Sequence, residues 1–379
     1  MKIGLITRHA VPNYGSLLQA YSSVNLMEQL GYECKIINYI RYDERKNTLW
    51  KSILSTNNNW NSNILKRIIF NFIQKPSYRN MYKKFENYRE DLLSGKLTKE
   101  FGSIDELKKD KLDFDIYCSG SDQLWGKISC DDFDPTYFLE FVSSDSICCS
   151  LSSSFGKDIL SLELKNELPT ICKKYSFLTV REQSAFDILD ELGIKSKVIL
   201  DPTMLVEKDW NELANKSHMN IKDNYILVYQ LHNDKKFDKY LEELSRRKKL
   251  KIYRICPSIH HILKKGKSIY LPNIYDFLYL IKNAKLVITD SFHCSVYSIL
   301  FNKTFGSYLA NNTNTRIINL VNQFDLKNKI IKMNDNFAWA NDDVNWIKVN
   351  KKLKQLKEDS ILYLKNNLEV VENEKNWGY

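Results

Sequence analysis

Apolar residues in this chain come in short unbroken runs, separated by amphipathic stretches of helical length. Lys2–Thr7 (KIGLIT) is the first run and predicts a buried strand. Ser16–Leu30 (SLLQAYSSVNLMEQL) predicts a helix that Gly31 ends, and Glu33–Ile40 (ECKIINYI) predicts the next strand. Strand, helix and strand in close succession form a βαβ unit and favour a parallel sheet with helices on its faces. After an interruption the rhythm resumes at Asp115–Ser119 (DIYCS), Ser146–Ser152 (SICCSLS), Ser176–Val180 (SFLTV) and Lys197–Leu200 (KVIL). A second series follows. Its strands are Tyr225–Gln230, Leu250–Cys256, Leu286–Thr289 and Thr304–Leu309, and its helices Phe237–Lys249, Tyr275–Asn283, Cys294–Phe301 and Thr315–Phe324.

The two series predict an α/β chain of two Rossmann-like domains facing a cleft, over residues 1–205 and 206–340, with a charged helical tail over 341–379. A chain of 379 residues is long enough for two domains. The interruption, about 45–112, holds 15 basic and 7 acidic residues, so it carries eight of the chain's ten net positive charges. It reads as a basic helical insertion in the first domain. Its mixture of aromatics with Lys and Arg suits an anionic partner, a phospholipid headgroup or a lipid diphosphate, or else a solvated helical pair packed on the sheet. Nucleic acid is not expected, because no nucleic-acid motif accompanies the charge.

Several classes fall away. G-x-G-x-x-G, the Walker phosphate loop and H-E-x-x-H are all absent, which removes the usual dinucleotide, ATPase and zinc-protease readings. No uninterrupted apolar stretch is long enough to span a membrane, and MKIGLITRHA does not read as a secretory leader. Eight cysteines without C-x-x-C spacing fit free thiols in a reducing cytoplasm. Asp113-Phe114-Asp115 and Asp132-Phe133-Asp134 have the D-x-D form of some metal sites, but so short a pattern arises by chance, and no metal is expected.

Candidate chemistry gathers where predicted strands end, since ligands of open α/β sheets bind outside the carboxyl ends of the strands. After the first strand, Asn13 and Ser16 can cap the helix and Gly15 permits positive φ, so the helix start offers N–H groups to an anion. Ser121, Asp122 and Trp125 offer a hydroxyl, a carboxylate and a flat ring to a sugar. Asp290, Ser291 and His293 follow Leu286–Thr289, and a histidine there suits proton transfer near neutral pH. Arg181 and Arg316 suit a carboxylate or phosphate.

Taken in order, these residues resemble the polysaccharide pyruvyl transferase family. The resemblance rests on Asn13-Tyr14-Gly15, Gly120–Trp125, Ser154-Phe155-Gly156, Val180-Arg181-Glu182, Asp201-Pro202-Thr203, Thr289–His293 and Asn314–Ile317. It implies a two-domain fold of the GT-B kind, no cofactor and no metal. It also implies transfer of a carboxyethylidene group from phosphoenolpyruvate to two hydroxyls of a saccharide, which could be a lipid-diphosphate-linked oligosaccharide, for a capsule, exopolysaccharide or wall polymer. On that resemblance Arg181, Arg316 and the Asn13–Ser16 helix start would hold the donor. His293 would act as general acid or base, and Asp122 would orient the acceptor. Ser291 stands where several members carry an arginine, so Lys303 or Arg8 would supply the missing cation, or the donor would differ. A cytoplasmic protein, with peripheral contact to an anionic inner membrane face, follows as an expectation. Two alternatives stay open: a nucleotide-sugar glycosyltransferase on the same architecture, and a non-catalytic member that binds glycan or membrane.

Overall fold

The computed structural model describes residues 1–56, 62–128, 133–232, 234–309, 315–333 and 336–377. It divides into two compact units: Met1–Phe72 with Phe85–Glu207 and Leu353–Tyr379, and Ile73–Lys84 with Lys208–Lys352.

The first unit carries β1 (Lys2–Ile6), β2 (Glu33–Ile36), β3 (Ile116–Ser119), β4 (Asp122–Gln123), β5 (Ile147–Ser150), β6 (Ser153–Ser154), β7 (Tyr175–Phe177), β8 (Thr179–Val180) and β9 (Lys197–Val198). Five of them form a parallel sheet in the order β2-β1-β3-β5-β7. β1 is buried from its second residue on, as expected of a strand covered on both faces. The helix Tyr14–Gln29 connects β1 to β2. Asn13 caps its start, and Gly31 at φ 98 closes its end, where a side chain would be strained.

Three strands of this sheet break and resume. β3, β5 and β7 are followed within one or two residues by β4, β6 and β8, which pair with β9 as a second parallel sheet in the order β4-β6-β8-β9. The expected strand Ser146–Ser152 therefore stops at Ser150, and Ser176–Val180 is divided between β7 and β8. At the break Ser152 takes φ 54, and hydroxyls replace ladder partners. Ser152 N donates to Thr179 Oγ1 (2.8 Å), and Thr179 N donates to Ser150 Oγ (2.7 Å). The result is a buried shelf of Ser, Thr and charged residues beyond the main sheet.

The second unit carries β10 (Tyr225–Tyr229), β11 (Lys251–Cys256), β12 (Lys267–Tyr270), β13 (Leu286–Thr289) and β14 (Phe305–Ser307), parallel in the order β12-β11-β10-β13-β14. The helices Lys235–Lys248, Ile274–Asn283 and Phe292–Leu300 connect them.

The long helix Trp346–Trp377 closes the chain, and from Leu353 it belongs to the first unit. Leu364, Leu368 and Val371 form its buried stripe, Ser360 Oγ accepts from Leu200 N (3.3 Å), and Tyr363 meets the ring of Phe177.

Of the insertion, the helices Leu49–Thr56, Ile64–Ile69 and Lys75–Leu93 are described. Phe85 packs on Tyr14, and Met81, Tyr82 and Leu93 are also buried. Around Ile64–Ile69 the apolar side points outward instead. Ile64, Leu65, Ile68, Ile69 and Phe72 are all exposed, Phe72 by 78%, while Phe70 is buried.

Candidate functional site

In each five-stranded sheet the strand order reverses at one place. In the first unit the chain runs outward from β1 to β2 and from β3 to β5 and β7, so the reversal lies between β1 and β3. In the second it lies between β10 and β13. The carboxyl ends of the strands flanking such a reversal diverge and open a crevice, where open α/β sheets hold ligands.

At the first reversal, Thr7 Oγ1 donates to the Ser121 carbonyl (3.0 Å) and Ser16 Oγ donates to Asp122 Oδ2 (2.7 Å). Asp122 has φ 80, unusual for a residue with a side chain, and the surrounding bonds hold it there. Arg181 arrives from the end of β8. Its Nη1 lies 2.9 Å from Asp201, its Nε 3.6 Å from Glu182 and its Nη2 3.7 Å from Asp122. Ser121 Oγ donates to Asp201 Oδ2 (3.2 Å) and Ser154 Oγ to Glu182 Oε1 (2.6 Å). One guanidinium thus balances three buried carboxylates. Burial works against the Arg181 charge, and Asp201, Glu182 and Asp122 together hold its pKa above the usual arginine value.

This geometry revises several expectations. Arg181 is the counter-ion of an acidic shelf and is not open to a donor's phosphate. Asn13 Oδ1 accepts from Gly15 N (2.8 Å) and Ser16 N (3.3 Å), so the N–H groups expected to meet an anion are already taken. Gly15 lies inside the first helical turn without positive φ, and Ser16 serves Asp122 and not the cap. Trp125 is fully buried, stacked on Phe138 at 5.4 Å and flanked by Phe155 and Tyr175, so it is core and not a sugar platform. Arg8 is tied to Glu44 (Nε to Oε1, 2.9 Å). His9 is buried between the Thr7 carbonyl and Asn38 Oδ1, and burial pushes its pKa down to about 4, so it is a neutral structural group. Of the D-x-D pairs, Asp113 and Asp115 meet Lys2 and Lys375, and Asp134 meets Arg41 and Tyr39. Asp132 and Cys130 lie outside the described residues. Among the described residues no group of three or more His, Cys, Asp or Glu could hold a metal ion.

At the second reversal, Ser291 caps the helix Phe292–Leu300 by accepting from Cys294 N (3.4 Å). His293 sits in the first turn, mostly buried, its ring edge-on to Phe292 at 5.2 Å. The Arg316 guanidinium lies 5.9 Å from the centre of the Phe292 ring. Asn314 lies outside the described residues. Asp290 is fully buried and accepts from Leu231 N (2.7 Å), His232 N (2.8 Å) and His232 Nδ1 (2.9 Å). His232, two residues past the predicted strand, is the site residue that sequence reasoning missed. Its bond to Asp290 raises its pKa, against partial burial and the Arg316 charge.

Lys303 does not join this group. The register pairs Val287 with Phe305 and Thr289 with Ser307, which puts Lys303 at the amino end of the strands, the opposite edge from Asp290. There burial, Lys282 and Lys285 lower its pKa. One strand over, around Gln230, Arg254 Nη2 and Lys264 Nζ share the Asp238 carboxylate at 3.0 and 3.2 Å, while Arg254 Nη1 and Lys264 Nζ each donate to Gln230 Oε1 at 2.9 Å. Two cations thus share one carboxylate beside this strand end.

Two parallel α/β units with these strand orders define a GT-B-like protein, and solved structures agree on the fold. UDP-GlcNAc 2-epimerase from Methanocaldococcus jannaschii matches with a TM-score of 0.52 at 16% identity, over 93% of this chain and 92% of that one. S. aureus MnaA, solved with UDP, matches at 0.52 and 13% identity, over 96% and 90%. Arabidopsis thaliana UGT89C1, complexed with quercetin, matches at 0.51 and 10% identity, over 98% of both chains. A sequence model of the polysaccharide pyruvyl transferase family matches residues 13–312, and the chain belongs to that family of transferases. None of the curated proteins compared with it matches.

Proposed function

We propose that the protein transfers a carboxyethylidene group from phosphoenolpyruvate to two hydroxyls of a saccharide during surface-polysaccharide synthesis. The observation that carries this reading, beside the family, is the strand end after β13, where His293 and Arg316 flank Phe292 at the sheet's reversal. The donor bears a carboxylate and a phosphate, and in this reading Arg316 holds one of them in bidentate fashion. His293 gives a proton to the donor's methylene carbon, and positive charge develops at C2. One sugar hydroxyl adds there and loses its proton. A second hydroxyl then displaces phosphate, which departs with the C–O bonding pair. One donor and one diol give one cyclic ketal and one phosphate, and no water is consumed.

Calorimetric titration with phosphoenolpyruvate and, separately, uridine diphosphate tests the donor. Binding of phosphoenolpyruvate that weakens at least tenfold in Arg316→Ala is the expected result. Binding of uridine diphosphate alone would replace this reading by a nucleotide-sugar glycosyltransferase.

The acceptor reading extends to a bilayer surface. Among the described residues no helix is long and apolar enough to cross a membrane. Ile64, Leu65, Ile68, Ile69 and Phe72, spaced to share one helical face, are exposed beside the exposed cations Lys66 and Arg67. Such a face fits an anionic membrane, its apolar side chains entering the acyl boundary and its cations the headgroups. Co-sedimentation with vesicles of phosphatidylcholine plus phosphatidylglycerol should fall at least tenfold in Leu65→Glu/Phe72→Glu, and should be weak on phosphatidylcholine alone. Equal binding by the double variant would end the idea. A variant that loses self-association in sedimentation velocity, with no vesicle binding by either form, would assign the face to a second copy.

A further inference from the structure

We infer that His232 is a second proton-transfer group of this site, taking the proton of an attacking acceptor hydroxyl, with Asp290 as its positioning residue. The chemistry rests on the donor reading above; the placement rests on geometry alone.

The strand reversal in the second unit lies between β10 and β13, and each flanking strand contributes one member of the pair. His232 follows β10 by three residues and Asp290 follows β13 directly. The Asp290 side chain is fully buried, whereas that of His232 is 53% exposed. The imidazole therefore projects outward from a buried anchor. An ordinary surface histidine has no such anchor and turns freely.

The anchor also fixes the tautomer. Asp290 accepts three donors, two of them backbone N–H groups that cannot reverse their role, so its oxygens serve as acceptors. Nδ1 of His232 must then carry the proton it donates to Oδ2. In the neutral ring Nε2 holds the lone pair and faces away from the anchor, the arrangement a general base needs. Two charges face the ring from the packed elements: Asp290 from the end of β13, and Arg316 from the helix Thr315–Gln323. Asp290 favours the imidazolium that forms when the proton is taken, and Arg316 opposes it.

The proton count calls for a second group. Each ketal formed removes two hydroxyl protons; one replaces the proton spent on the methylene carbon, and the other leaves with phosphate. A histidine that has just protonated the methylene carbon lies beside that carbon. The hydroxyl adding at C2 needs an acceptor of its own. His232 Nε2 takes that proton as the new C–O bond forms, and passes it on when phosphate departs.

The test uses the full chain with labelled histidine, its His232 ring resonances assigned through His232→Gln, and follows them while phosphoenolpyruvate or uridine diphosphate is added. Alongside, phosphate release from phosphoenolpyruvate with a panel of methyl glycosides is measured across pH. The expected result is that phosphoenolpyruvate moves the His232 resonances. His232→Gln should lower turnover at least a hundredfold and lose the acidic limb of the pH profile, while affinity for phosphoenolpyruvate stays within threefold. Imidazole added to His232→Gly should restore part of the rate. Resonances unmoved by either compound, or an unchanged rate and acidic limb in His232→Gln, would overturn the assignment and leave the donor reading standing. Resonances moved by uridine diphosphate alone would keep the pair at the site and overturn phosphoenolpyruvate as donor.

Discussion

Replacing Arg181 with leucine should destabilise the first unit by about 3–5 kcal/mol at neutral pH, the usual effect of stripping the counter-ion from a buried charge. Asp122, Glu182 and Asp201 are each less than a tenth exposed, and all three face this one guanidinium. Without it burial goes uncompensated, and burial favours the protonated form of a carboxyl group. A folded-state pKa above the unfolded one means that the native protein binds more protons, so its stability falls as pH rises. The deficit of Arg181→Leu relative to wild type should therefore be largest at neutral pH and shrink toward pH 4, near the ordinary carboxylate range. Urea unfolding at several pH values, followed for each unit separately, measures it. Arg181→Lys should fall between, keeping the charge but losing the fork. A leucine variant within 1 kcal/mol of wild type at all pH values would show that the shelf is not held by its cation.

The second large effect is on turnover. His293→Ala should lower phosphate release from phosphoenolpyruvate by a factor of about 100 to 10,000, the range for loss of a general acid. Affinity for the donor should change little, because Arg316 carries the binding in this scheme. The side chain is nearly buried against Phe292, so a fall in rate must be separated from a fall in stability. His293→Gln, which fills similar space without an ionisable ring, makes that separation. A glutamine variant as slow as the alanine variant, melting near wild type, supports the acid role. Unchanged turnover in either removes His293 from the chemistry.

The alternation of strands and helices was legible because strands buried on both faces appear as unbroken apolar runs. Leu286–Thr289 is found where the run predicts it. Lys267–Tyr270 leaves no such run in the sequence, because it is a half-exposed edge strand. The breaks after β5 and β7 were invisible for another reason. They depend on Ser150 and Thr179 bonding across two strands, a partnership that no local window contains. The same limit applies to the sites. Glu182 adjoins Arg181 in sequence, but Asp122 and Asp201 reach it from other strand ends, so an exposed substrate arginine was the natural reading. His232 is not legible in the sequence, because only strand order reveals that β13 lies beside β10. Lys303 was a fair candidate by sequence distance from Ser291. Parallel register puts it one strand length away, since a chain must cross back to the amino edge before each new strand begins.

The closing helix bears on how the protein is made. A ribosome adds about 5–20 residues per second, and residues 208–352 of the second unit are synthesised before Leu353–Trp377 exists. Leu364, Leu368 and Val371, together with the Ser360 hydroxyl that meets Leu200, all belong to that late segment. The first unit to be translated is therefore the last to be completed. For roughly ten seconds or more it stands on the ribosome with an apolar flank uncovered, the interval in which a chaperone would be of most use to this chain.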